Sequence, residues 1–83
     1  MNVRVYVTPK QGILDPQGAT VERALPALGF EGVRGVRIGK LIEFGLELPD
    51  ASPEQVREEI DEMCRRLLAN PIIEDYRFEL DDE

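Results

Sequence analysis

The sequence predicts an α+β fold: a two-layer sandwich in the order β-α-β-β-α-β, with a four-stranded antiparallel sheet covered on one face by two helices. Three observations lead there. Residues 2–8 alternate between apolar and polar side chains. Two helix-start signals, Asp15-Pro16 and Ser52-Pro53-Glu54-Gln55, each precede apolar residues at helical spacing. Three further β-branched or alternating stretches then need a common apolar layer to cover.

The first strand has Val3, Val5 and Val7 on one face and Arg4, Tyr6 and Thr8 on the other, the period-2 signature of a half-buried strand. The loop that follows, Thr8 to Gly18, exceeds the roughly 2–6 residues that join a strand to a helix. It carries Lys10, Gln11, Gly12, Asp15, Gln17 and Gly18. Asp15 suits a cap, because its carboxylate can accept the free N–H groups of a first helical turn, and Pro16 suits the first helical position. A helix over 16–28 follows, with Val21, Ala24, Leu25 and Leu28 as its stripe and Gly29 able to end it in the left-handed conformation. Pro26 forfeits a backbone bond inside it, so a kink or a frayed last turn is expected.

Val33 to Ile38 and Leu41 to Leu48 read as two strands joined by a hairpin at Gly39-Lys40. Ser52 and Gln55 form a capping box, and Val56, Ile60, Met63, Cys64 and Leu67 line the apolar side of the helix that follows. Asn70-Pro71 stops it, and Ile72 to Leu80 gives a last strand with Ile72, Tyr76, Phe78 and Leu80 on one side. Right-handed crossovers place both helices on the same face, a ferredoxin-like arrangement. The length, 83 residues, suits a single domain over 1–83, small enough to gain from oligomerising. Edge strands, taken as the second and fourth, offer backbone groups for pairing with another copy.

Composition narrows the chemistry. The chain has no histidine and one cysteine, which removes the commonest general base, the commonest metal ligand and any intrachain disulfide. Cys64, between Met63 and the apolar stripe, reads as a structural thiol, since a nucleophilic one needs an exposed, electropositive setting. Ten basic and seventeen acidic residues leave a net charge of −7, all of it in residues 54–83. That acidity opposes nucleic-acid binding, and the exposed sheet face offers one outward tyrosine, Tyr6, where an RNA-stacking sheet needs several aromatics. No apolar run approaches the roughly 20 residues of a membrane span, so the expected compartment is the cytoplasm. Acyl-phosphate hydrolysis on this architecture uses an arginine in the first loop, where this chain has Lys10. A phosphate cradle in that loop would put Asp15 where the anion belongs. From the residues alone, an ACT-like regulatory domain binding a small molecule and a bare interaction domain remain level.

Several segments together decide between them. Pro9-Lys10 with Gly12, Leu14-Asp15-Pro16-Gln17-Gly18, Leu28-Gly29, Val36-Arg37 with Gly39-Lys40, and Leu67-Leu68-Ala69-Asn70-Pro71 followed by Ile73-Glu74-Asp75-Tyr76 occur in order. With them the chain resembles, from end to end, the PurS family, the small subunit of formylglycinamidine ribonucleotide synthetase. The resemblance implies a PurS-like fold and a subunit without catalytic residues of its own. It implies self-association as a dimer or dimer of dimers, and a bridge between a glutaminase subunit (PurQ) and a synthetase subunit (PurL) that helps ammonia pass between them. It implies no cofactor in this chain, with ATP and magnesium on the synthetase subunit. The residues expected at partner interfaces are Lys10, Gln11, Gly12, Asp15, Gln17, Gly18, Arg37, Lys40, Asn70, Glu74, Asp75 and Tyr76.

Overall fold

The computed structural model describes residues 1–81. Strand β1 (Asn2–Pro9) is central, flanked by β2 (Lys40–Gly45) and β3 (Glu74–Asp81), both antiparallel to it. Val3, Val5 and Val7 point into the core, as the alternation requires, and meet Val56, Ile60, Cys64 and Ala69. Phe44, Ile42, Phe78, Leu80 and Tyr76 close the layer from the flanking strands. Helix α2 (Pro53–Met63) supplies the cover, and the capping box at Ser52 and Gln55 forms as its sequence specifies.

The sheet has three strands, which corrects the expectation of four. The missing one is Val33 to Ile38. Gly32 and Gly35 adopt φ of 86° and 70°, conformations that interrupt a strand and that glycine tolerates. The later part of the segment then runs beside helix α1 (Pro16–Ala27), where carboxylates take its backbone donors. Val36 N donates to Glu22 Oε1 at 3.0 Å and Ile38 N to Asp15 Oδ2 at 2.7 Å. No hairpin forms at Gly39-Lys40. Gly39 passes so close to β1 that a Cβ there would sit 2.4 Å from the Val7 carbonyl oxygen, and Lys40 opens β2 directly. The place a hairpin would have given the segment, beside the outer edge of β2, stays open.

The second helix expected over the sheet is not there either. Gly18 is the buried residue of α1, and no α1 side chain enters the core cluster. Val21 and Leu28 stay exposed, Leu28 at 71%. The molecule is accordingly long and thin, 54 × 28 × 15 Å. Pro26 is absorbed at the end of α1 rather than at a kink. Phe30 N donates to Leu25 O and Gly29 N to Pro26 O, both 3.0 Å, with Gly29 at φ 96°. These two bonds make a Schellman close one residue earlier than the expected 16–28.

Helix α2 runs into a π turn over Cys64–Leu68, closed by Ala69 N donating to Cys64 O at 2.9 Å. The wider turn rotates the apolar face by about one residue. Leu67, expected inside, is 83% exposed, while Leu68 packs on the core and Ala69 is 6% exposed. Ile72 is also outside, because Pro71 to Ile73 form a turn and the strand starts at Glu74.

Candidate functional site

Three chain segments meet at one end of the sheet: the first loop, the approach to β2, and the turn before β3. Lys10 ties two of them twice. Its backbone N–H donates to Ile73 O at 2.9 Å, and its ammonium meets Asp75 Oδ1 at 2.7 Å. Arg37 reaches back to the Pro9 carbonyl at 2.9 Å, and Lys40 lies 3.9 Å from Glu74 Oε2. Glu74 also accepts from Asn70 N at 2.7 Å through its other oxygen. Asn70 makes an Asx turn, its side-chain oxygen accepting from Ile72 N at 3.1 Å. The end is thus a lattice of exposed charge pairs, each weak alone, laid over directed backbone bonds.

Asp15 is the joint of the loop. One carboxylate oxygen caps α1 by accepting from Gly18 N at 3.1 Å, and the other accepts from Ile38 N. The Ile38 bond first, then the Gly18 bond, hold its carboxyl below the usual aspartate range. Gly18 is where the helix and the 33–38 segment touch: a Cβ would lie 2.4 Å from Val36 O. Gly12 turns the loop at φ 84°, with Ile13 N returning to Lys10 O. An open groove of about 400 Å³ runs between this loop and Val36-Arg37, floored by Ala19 and Glu22.

Of the twelve residues singled out in the sequence, Lys10, Arg37, Lys40, Asn70, Glu74 and Asp75 are brought together at this end, and Gln11, Gly12 and Asp15 lie on the adjoining loop. Three lie apart. Gln17 lies over an apolar dimple with Thr20, Val21 and Ile38. Gly18 is buried beneath the loop. Tyr76 faces the core and donates to Asp61 on α2. That bond lowers the Asp61 carboxyl pKa and raises that of the Tyr76 phenol. Burial pushes the nearby Cys64 thiol up, away from nucleophilic use. Sequence reasoning missed Glu22, which looked like a solvated helix residue and anchors Val36. It also missed two exposed apolar side chains there, Leu14, which lines the groove, and Ile72, whose N–H donates to Asn70.

The open face of the sheet is tied by polar contacts. Arg77 stacks over Tyr6 with its guanidinium carbon 4.0 Å from the ring centre, and Tyr6, Arg4 and Arg77 converge on Glu79. No helix among the described residues is long and apolar enough to cross a membrane.

The chain matches the family model for PurS, phosphoribosylformylglycinamidine (FGAM) synthase, over residues 2–82. The chain belongs to the PurS family. A PurS subunit of phosphoribosylformylglycinamidine synthase from Synechocystis is 48% identical over 77 residues, 93% of this chain and 75% of that one. The structure of Bacillus subtilis PurS superposes with a TM-score of 0.83 at 43% identity, covering 98% of each chain. A chain in the structure of PurLQS from Thermotoga maritima superposes with a TM-score of 0.81 at 29% identity, covering 94% of this chain and 93% of that one. The same architecture, one strand short of the expected sandwich, is thus shared with other PurS chains.

Proposed function

We propose that this chain holds the glutaminase (PurQ) and synthetase (PurL) subunits of FGAM synthase together, and that it assists the passage of ammonia between them. Membership in the PurS family makes it a non-catalytic subunit of that ligase, a complex of purine biosynthesis. The observation that carries the bridging role is the likeness to a chain of the PurLQS assembly over 94% of this chain. In this reading residues 1–83 act as one domain, self-associated as a dimer or dimer of dimers, in the cytoplasm. ATP and magnesium are held by the synthetase subunit. The joined end of the sheet, from Lys10 to Asp15 with Arg37, Lys40, Asn70, Glu74 and Asp75, is the docking surface. Its charge pairs are exposed and re-pairable, and the apolar Leu14 and Ile72 beside it remain uncovered.

Reconstitution tests the role. Glutamine-dependent FGAM formation by the two larger subunits should require this chain, and full turnover without it overturns the proposal. A second test addresses the loop. Lys10→Ala with Gln11→Ala removes an exposed ion pair and an exposed amide, so folding should be unchanged within about 0.5 kcal/mol. Assembly should weaken about tenfold in Kd, the scale of a central interface side chain. Unchanged assembly and turnover would remove the loop from the docking surface.

A further inference from the structure

The end of helix α2 carries two apolar patterns at once. In the sequence, Val56, Ile60, Met63, Cys64 and Leu67 continue one α-helical stripe without a break. In the structure the π turn over Cys64–Leu68 departs from it. Cys64 O accepts from Ala69 N at 2.9 Å, where a regular helix would use Leu68 N. The wider turn leaves Leu67 outside and puts Ala69 inside, while Leu68 packs on the core. A regular α turn would keep Leu68 inward, bring Leu67 in on the side of Ile60 and Cys64, and carry Ala69 out. The two registers therefore differ by a trade of one inward side chain. The register not adopted has the larger apolar side chain to bury.

What holds the observed register is the turn that follows. Asn70 is fastened through its N–H, its carbonyl and its side chain. The N–H donates to Glu74 Oε1 at 2.7 Å, the carbonyl accepts from Ile73 N at 3.0 Å and Glu74 N at 2.7 Å, and the side-chain oxygen accepts from Ile72 N at 3.1 Å. The Lys10 N–H then pins Ile73 O to the first loop at 2.9 Å. Closing the π turn to an α turn would rotate Ala69 by about 100° and pull Asn70 with it. The Glu74 carboxylate holds Asn70 directly after the helix cap, and its other oxygen lies 3.9 Å from Lys40 on the surface.

We propose that the end of α2 is a two-register switch and that Glu74 is its latch. With the Glu74 carboxylate on the Asn70 N–H, the turn is π and Leu67 is outside. With the latch released, the turn closes to α and Cys64 O passes from Ala69 N to Leu68 N. Leu67 then enters the core and Ala69 leaves it. Single π turns inside α-helices recur at functional sites. This one adjoins the proposed docking surface, so a partner group that draws Glu74 away would move Leu67. That consequence rests on the docking reading; the switch itself does not.

Thiols introduced at positions 67 and 69 read the register in the isolated chain. Leu67→Cys should react with a maleimide as an exposed thiol does and Ala69→Cys slowly, scored residue by residue by mass spectrometry with the buried Cys64 as internal control. Adding Glu74→Ala should move the two probes in opposite directions, at least about threefold slower at position 67 and about tenfold faster at position 69, as the α register becomes the major state. Glu74→Gln keeps an oxygen that can accept from the Asn70 N–H, so both rates should stay where the single variants set them. Probes that speed up together would show fraying, and probes that do not move would show a fixed turn. Either overturns the proposal, as does a Glu74→Gln chain that behaves like Glu74→Ala. A second variant decides the matter should Glu74→Ala unfold. Ala69→Gln places a polar side chain where the π register buries it and the α register exposes it. Combined with Leu67→Cys it should protect the thiol at position 67, and a thiol that stays reactive there overturns the switch. Because no other subunit is present, failure here leaves docking and bridging standing, and a chain that proves dispensable for turnover leaves the switch standing.

Discussion

Two glycines mark where chain segments pass at contact distance, and their substitution separates steric from conformational effects. At Gly39 an added Cβ would meet the Val7 carbonyl at 2.4 Å, with no compensating gain, so Gly39→Ala should cost about 1–3 kcal/mol in urea unfolding. At Gly18 the same 2.4 Å clash with Val36 O is offset by about 1 kcal/mol of helix propensity, so Gly18→Ala should lose less than Gly39→Ala. Equal stability of both variants and the parent would show that neither contact is fixed. Asp15 carries a pH signature. Its carboxyl is held below the usual range by the Ile38 and Gly18 N–H groups, so its contribution is complete above the ordinary aspartate value near 3.9 and is lost as pH falls through the lowered value. Asp61, through Tyr76, and Glu79, through Arg77, lose stability in the same direction. Asp15→Asn offers one oxygen for two N–H groups, so it should keep the helix cap, weaken the hold on Ile38, and shrink the fall in stability below about pH 4. An unaltered acid limb would remove Asp15 from that joint. Half of the Asp15 role was legible in the sequence because a cap is local; the bond to Ile38, 23 residues away, depended on where the chain returned.

At the scale of elements, local signals held where they needed no distant partner. The first strand, both helix starts and the Gly29 stop follow from alternation, capping and left-handed φ. Val33 to Ile38 failed for an instructive reason. Its β-branched residues suit a strand, but a strand is completed by a neighbour, and here Glu22 and Asp15 satisfy its donors instead. The helical period misplaced Leu67 because the π turn inserts extra rotation where no sequence signal announces it. That turn makes a sharp prediction. Leu67→Ala should change stability by less than about 0.5 kcal/mol, while Leu68→Ala, one residue on, should cost about 1–2 kcal/mol and Ile60→Ala about 2–5 kcal/mol. The order Leu67 above Leu68 would show a regular α-helical turn instead. At the candidate site the sequence strings named Lys10, Glu74 and Asp75 but not that Lys10 and Asp75 meet, and the exposure of Leu67 and Ile72 required knowing how this helix ends.

For the whole molecule, shape and stability pull in one direction. Among the described residues seven apolar ones are buried, a small core for a chain whose long axis is 54 Å. Helix α1 adds no side chain to that core, and Val21 and Leu28 of its apolar stripe stay exposed. Such a chain should draw part of its stability from association, and association obeys mass action. If two copies fold and pair together, a tenfold rise in concentration adds about 1.4 kcal/mol per dimer, or about 0.7 kcal/mol per protomer. For a domain of this size that corresponds to a rise in Tm of about 3–5 °C. Thermal unfolding followed at 2 µM and at 20 µM (about tenfold apart) should show it for the parent. A parent Tm that does not move with concentration would mean that the monomer alone supplies the stability.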